Sequence, residues 1–236
     1  QARSPKSPPG APSLPVEVPL AGRLGRYTGR FDIGGESFGL AVDTGSELLA
    51  VAGLGCPTCD RDGTTAYYSP GPGAQPLAGR IESLYDEGEL GWSGSAYLDR
   101  VSAGGLGASI AVFVMTHETD IVVVHGAGVH ADGIIGLAGS GDGSFIDALA
   151  RTGIPDVFAI HKCATTGALW LGGAPATGSA SYVDATSDYR VALHGVSIGS
   201  AHFDLPANTK AVVDSGTAGM VLPRAIYDAI VAQRDA

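Results

Sequence analysis

Val42-Asp43-Thr44-Gly45-Ser46 and Val213-Asp214-Ser215-Gly216-Thr217 repeat one pattern: an apolar lead, an Asp, a small hydroxyl residue, a Gly and a second hydroxyl. One Asp-Thr-Gly in a chain with 36 glycines marks no more than a turn. Two copies, each following an apolar run, imply two related half-sites that meet. Such a pair suits a shared carboxylate centre, in which Asp43 and Asp214 hold one water between them. Two carboxyls a few ångströms apart do not both ionise cheaply, so they share a proton and their apparent pKa values split. One acid then serves as base toward the water while the other donates a proton.

The elements that must position these acids read as strands. Short runs rich in Val, Ile, Leu, Phe and Tyr recur between Gly/Asp/Ser turns, at 26–33, 37–42, 48–51, 94–101, 109–116 and 121–125. Helical spacing is confined to 145–151 and to 223–233, where Pro223 opens the run. The fold class is therefore all-β. The run from Tyr27 to Gly34 leads through a turn to the first Asp motif, and the run from Tyr189 to Gly199 leads to the second, so duplicated lobes are expected. We place a disordered proline-rich tail at 1–15, a first lobe at 16–155 carrying the first Asp, and a partial second lobe at 156–236 carrying the second.

Composition narrows the function. A 44% hydrophobic content with 16% charged residues supports a buried core. A net charge of −10, with lysine only at 6, 162 and 210, argues against nucleic acid and anionic membrane surfaces as partners and fits an acidic working environment. No apolar run is long enough to span a bilayer. Cys56 and Cys59 form a C-x-x-C open to three readings: a redox dithiol, half of a zinc site, or a stapled loop, the last favoured by the Pro/Gly/Asp-rich flanks. Cys163 has no partner left within the chain. No metal site and no cofactor are expected.

Several motifs are decoys. The glycine-rich run 136–143 imitates a phosphate loop but lacks the Lys-Ser/Thr that such a loop needs. Gly91-Trp92-Ser93-Gly94-Ser95 is not a nucleophile elbow, because position 95 is not Gly. His125 and His130 have no companion ligands and read as surface or packing residues.

Taken together, the two Asp motifs, Asp132-Gly-Ile-Ile-Gly-Leu-Ala138, Gly167-Ala-Leu-Trp-Leu-Gly-Gly173 and Leu84-Tyr85-Asp86-Glu87-Gly88, in this order, resemble the pepsin family of aspartic endopeptidases. The resemblance implies a bilobal acid-protease fold and hydrolysis of an extended polypeptide substrate, with bulky apolar residues at the cleavage site. It makes Asp43 and Asp214 the catalytic pair. Thr44 and Ser215 become the hydroxyls that lock the two loops together, Ser46 and Thr217 the hydroxyls on the outer carboxylate oxygens, and Gly45 and Gly216 the backbone donors and substrate contacts. Tyr85 falls at the flap over the cleft, and Ile134, with Tyr85, at the wall of the primary pocket, which Ala41 leaves roomy. Two positions depart from the family: Ala50 stands where a Trp usually supports the flap Tyr, and Asp86 where a Gly follows that Tyr. Trp92 is expected to fill part of the space left by Ala50. An alternative of another class is a pepsin-like binding or inhibitor protein that has lost turnover.

The resemblance also implies a secreted or lumenal location, whether vacuolar, lysosomal-like or periplasmic. Only 22 residues follow Asp214, so the second lobe is expected to be incomplete here and the chain alone inactive or nearly so. A further C-terminal polypeptide, disulfide-linked through Cys163, is the expected partner.

Overall fold

A computed structural model describes residues 12–23, 26–59, 64–85, 90–119, 131–139, 143–175 and 181–234. Fourteen strands and two helices account for their regular structure. The first strands are β1 (Val16–Arg23), β2 (Arg26–Ile33), β3 (Glu36–Asp43) and β4 (Leu49–Ala52). A long hairpin follows, β5 (Gln75–Tyr85) and β6 (Leu90–Ala103), then β7 (Leu106–Thr119) and β8 (Gly133–Gly136). After helix α1 (Phe145–Arg151) come β9 (Phe158–Lys162), β10 (Thr166–Leu171), β11 (Arg190–Ala192), β12 (Gly195–Ile198), β13 (Ala201–Asp204) and β14 (Lys210–Val212). Helix α2 (Arg224–Arg234) starts one residue after Pro223. The expected run 121–125, His125 and His130 lie outside the described residues.

Ten strands form one sheet in the order β5-β6-β7-β4-β8-β3-β2-β1-β10-β9. Strict alternation of buried and exposed residues along β1 shows why these sequences settle as strands: one face carries Val16, Val18 and Leu20 to the core, and a helix would scatter them. Phe31, Phe38, Leu40, Val42, Ile135 and Leu137 continue that core beneath the first Asp motif. Helix α1 closes it, its Phe145 ring edge-on to Phe31 at 5.9 Å. Ser144 caps the helix by accepting a hydrogen bond from the Ile146 N–H.

The sheet continues across residue 155. Strand β10 pairs onto β1, with Val16 opposite Leu171, and β9 pairs onto β10, rather than starting a separate sheet. Beyond them, among the described residues, strands pair two by two, β11 with β14 and β12 with β13. This later part exposes apolar side chains, among them Val213, Met220 and Val221.

The first Asp sits where three strands cross. β3 runs parallel to β8, with Val42 opposite Ile135 and Asp43 opposite Gly136, while β4 returns antiparallel on the other side of β8. The loop between β3 and β4 therefore passes over β8. A Cβ on Gly136 would lie 2.5 Å from the Ser46 carbonyl oxygen, so only glycine lets the strand pass so close beneath that loop.

Asp132 anchors the start of β8. Its buried carboxylate accepts from the Gly39 N–H at 2.8 Å, the Thr65 N–H at 2.7 Å and hydroxyl at 3.0 Å, and the Ala66 N–H at 3.0 Å. Asp132→Ala removes a buried acceptor from four partly buried hydrogen bonds at once, and a hydrogen bond to a charged group contributes about 1.5–3 kcal/mol. We expect a loss of about 3 kcal/mol or more. A urea-unfolding midpoint unchanged in the variant would contradict this role for Asp132.

Candidate active site

Four hydrogen bonds bring the two Asp motifs face to face, in two matched pairs. The Thr44 hydroxyl donates to the Val213 carbonyl at 2.7 Å and accepts from the Ser215 N–H at 2.8 Å. The Ser215 hydroxyl donates to the Val42 carbonyl at 2.8 Å and accepts from the Thr44 N–H at 3.0 Å. Each hydroxyl thus bridges the peptide groups on either side of the opposite Asp. Residues 171 apart in the chain are thereby fixed to one another.

Each carboxylate is then held in the same way. Asp43 accepts from the Gly45 N–H at 2.8 Å and from the Ser46 hydroxyl at 2.5 Å. Asp214 accepts from the Gly216 N–H at 2.7 Å, the Thr217 hydroxyl at 2.5 Å and the Thr217 N–H at 3.2 Å. The glycines mark how tightly the halves meet. A Cβ on Gly216 would stand 2.4 Å from Asp43 Oδ1, and one on Gly45 would stand 2.6 Å from Asp214 Cγ.

Electrostatics separates the two acids. Burial pushes the Asp43 carboxyl up to about 6; the Ser46 hydroxyl works against this, and the hydrogen bond and charge of Asp214 add to it. Burial also disfavours charge on Asp214, but the Thr217 hydroxyl, the bond to Asp43 and the backbone N–H groups outweigh it and hold that carboxyl below its ordinary range. Between these two ranges the pair shares one proton, with Asp43 the more basic of the two acids. Such a pair can take a proton from a water molecule and give one to an oxygen or nitrogen beside it.

The support behind the pair comes from residues without chemistry of their own. Leu137 donates its N–H to the Asp43 carbonyl at 2.8 Å. Tyr189 reaches back from the second half, its hydroxyl donating to the Leu137 carbonyl at 2.9 Å while its own carbonyl accepts from the Val213 N–H at 3.1 Å. Tyr189 thus ties the approach to Asp214 to the strand beneath Asp43. Its backbone has a positive φ of 53°, which a non-glycine residue adopts only when its surroundings hold it. Sequence reading missed this brace, although Tyr189 and Tyr27 open the two repeats.

Other expected positions are placed as follows. Tyr85 ends β5 opposite Leu90, at the top of the β5–β6 hairpin; its side chain and residues 86–89 lie outside the described residues. Ile134 pairs with Ala41 on one side and Ala50 on the other. Trp92 lies in the same buried cluster as Ala50, Ile134 and Phe113, its ring 5.7 Å from that of Phe113. Cys56 and Cys59 form a disulfide, which removes the dithiol and zinc readings, and Cys163 is an exposed free thiol. Among the described residues, no cluster of His, Cys, Asp or Glu could hold a metal ion.

A cavity of 680 Å³ opens beside Asp214 and Thr217, walled by Leu193, Val196, Leu205, Met220 and Leu222. An exposed Ser197-His202-Asp204 chain also exists on the β12–β13 hairpin, with Ser197 Oγ 2.8 Å from His202 Nδ1 and His202 Nε2 3.2 Å from Asp204. Asp204 is 93% exposed, so water screens it and the array has no enclosed place for a reacting group.

Comparison with known proteins bears on the whole constellation. A family model described as eukaryotic aspartyl protease matches residues 26–236. The chain is 30% identical over 216 residues to an aspartic protease of Phaffia rhodozyma, covering 88% of this chain and 53% of that protein. It is 28% identical over 224 residues to aspergillopepsin-1 of Aspergillus pseudoglaucus, at 88% and 56% coverage. Over 223 residues it is 27% identical to penicillopepsin-3 of Penicillium janthinellum, at 88% and 55% coverage. The chain spans about half the length of these curated relatives.

Proposed function

The chain belongs to the eukaryotic aspartyl protease family, and from that premise we propose that the protein is an endopeptidase hydrolysing peptide bonds with a water activated between Asp43 and Asp214. The observation that carries the reading is the pair of carboxyls, cross-braced by Thr44 and Ser215 and split in proton affinity. Asp214, ionised, takes a proton as the water oxygen attacks the peptide carbonyl carbon. Asp43 gives its proton to the carbonyl oxygen. Collapse of the tetrahedral diol returns that proton to Asp43 and breaks the C–N bond, with the proton on Asp214 passing to the leaving nitrogen. Gly45, Gly216, Ser46 and Thr217 hold the carboxylates at the attack distance throughout.

An extended polypeptide with apolar side chains around the scissile bond is the substrate we infer. The apolar cavity beside Asp214 supports this, and a pocket wall at Ile134 and Tyr85 belongs to the same reading. Burying one large apolar side chain contributes about 1.5–3 kcal/mol, enough to select Phe, Leu or Tyr over small or charged residues. Cleavage-site profiling that returned charged residues next to the scissile bond would refute the preference. The lobe division near residue 155 and a flap bearing Tyr85 belong to the same proposal. A secreted or lumenal location is supported by the Cys56–Cys59 disulfide, which persists in oxidising compartments.

The pH profile tests the proton assignment. Activity requires Asp43 protonated and Asp214 ionised, so kcat/KM of the whole protein should fall as pH rises through about 6 and fall again on the acid side below the ordinary carboxylate range. Stability follows the same groups with opposite signs. Because Asp43 titrates higher when folded, its contribution is complete below its unfolded value of 3.8 and is lost as pH rises through about 6. Asp214, held low, contributes above 3.8 and loses that contribution as pH falls through its folded value. A rate that kept rising past pH 7 would overturn the assignment.

A further inference from the structure

We propose that Lys162 is a positioning residue for the carboxylate pair: its ammonium, seated on the Ser215 carbonyl, tightens through a single peptide group the hydrogen bond that keeps Asp214 the ionised partner. The inference rests on the endopeptidase reading above and adds a residue that neither Asp motif contains.

The geometry is a short relay. Lys162 Nζ donates to the Ser215 carbonyl oxygen at 2.6 Å. That carbonyl belongs to the same peptide group as the Gly216 N–H, which donates to Asp214 Oδ1 at 2.7 Å. A positive charge on the oxygen of an amide polarises the whole group and makes its N–H a better donor, so the two hydrogen bonds strengthen one another. The product is extra stabilisation of negative charge on Asp214, delivered by backbone that cannot itself titrate.

Lys162 is held for this task. It ends β9, on the far side of the first-half sheet from the hairpin, and is half-buried beside Thr44, Ser215 and Asp214 in a cavity of 540 Å³. Its ammonium stands 5.1 Å over the Tyr27 ring, a favourable cation–π distance. Tyr27 is fixed in turn by donating its hydroxyl to the Cys163 carbonyl. The titratable groups facing the ammonium include Tyr27 from β2, Asp43 at the end of β3 and Asp214 after β14, with His161 and Cys163 its neighbours on and beside β9. Burial lowers the proton affinity of Lys162, and the charges of Asp214 and Asp43 work against that lowering.

The test compares Lys162→Met, which keeps the stem and removes charge and donor, with Lys162→Arg, which keeps both. In the whole protein the acid limb of kcat/KM should move upward by about 0.5–1 pH unit in the Met variant, the size expected for losing one nearby charge and its hydrogen bond. The Arg variant should stay within about 0.3 unit of the parent, because its guanidinium still presents a charged donor. If the Met variant does not fold, Lys162→Gln, a donor without charge, should still show an upward shift. An unmoved acid limb in a folded neutral variant overturns the proposal, as does an equal shift in the Arg variant, which would trace the effect to packing. A carboxyl ¹³C titration of Asp214 in the same proteins reads the shift without turnover. Failure of the endopeptidase reading, seen as no Asp43-dependent cleavage by the parent, is thereby distinguished from failure of the relay.

Discussion

Asp43→Asn should reduce peptide hydrolysis by about three to four orders of magnitude while the fold survives. Asn occupies the same volume but carries no transferable proton, so the carbonyl oxygen of the substrate loses its acid and the proton inventory of the pair is broken. The donors around position 43 sharpen the effect. The Gly45 N–H and the Ser46 hydroxyl both aim at carboxylate oxygens, and one of them would meet an amide NH₂ instead. The Ser46 hydroxyl can turn to accept, which is why folding should persist. Asp214→Asn should be equally inactive for the complementary reason, that no base remains to take the water's proton. The measurement is kcat/KM on an apolar peptide with circular dichroism as the folding control. Equal cleavage by parent and variant would remove the pair from the mechanism and favour a pepsin-like binding protein that has lost turnover.

Gly216→Ala should lower the rate by about a hundredfold, although it changes no titratable group. A Cβ there would lie 2.4 Å from Asp43 Oδ1 and 2.7 Å from its Cγ, distances no real contact tolerates. One of the two loops must retreat, and the interlocked Thr44 and Ser215 hydroxyls leave little room for a compensating shift. Displacing reacting groups by about 1 Å costs on the order of a hundredfold in rate. Gly71→Ala, with open space around its Cβ, serves as the control and should retain parental activity. A Gly216→Ala enzyme with parental kcat would show that the carboxyls do not need this close approach.

How much of this could be read from residues alone depended on the range of the interaction. The strand at 26–33 and the helix at 145–151 are local patterns and fall where the periodicity puts them. The flanking strands run longer than their apolar cores, as β6 and β7 do, because ladder hydrogen bonds extend a hairpin past its hydrophobic stretch. The two Asp motifs were legible as partners because each repeats the other, and the matched hydroxyl bonds are the physical form of that repetition.

What stayed hidden has no local signature. Pairing of β10 with β1 joins residues about 150 apart, and nothing in either strand names the other. Tyr189 looked like the start of a strand, yet its hydroxyl spans to Leu137. Lys162 was one of three lysines in an acidic chain and carried no motif; only the folded chain shows its ammonium on the peptide group behind Asp214.

The central claim is that a water held by Asp43 and Asp214 attacks the peptide directly, with no covalent enzyme intermediate. Cleavage of an apolar peptide by the whole protein in ¹⁸O-water at mildly acidic pH, with hydroxylamine present as a trap, tests it most directly. The account predicts one ¹⁸O in the newly formed carboxylate at first turnover and no hydroxamate product, with the ¹⁸O-labelled product absent in Asp43→Asn. A hydroxamate captured from an acyl-enzyme would contradict it.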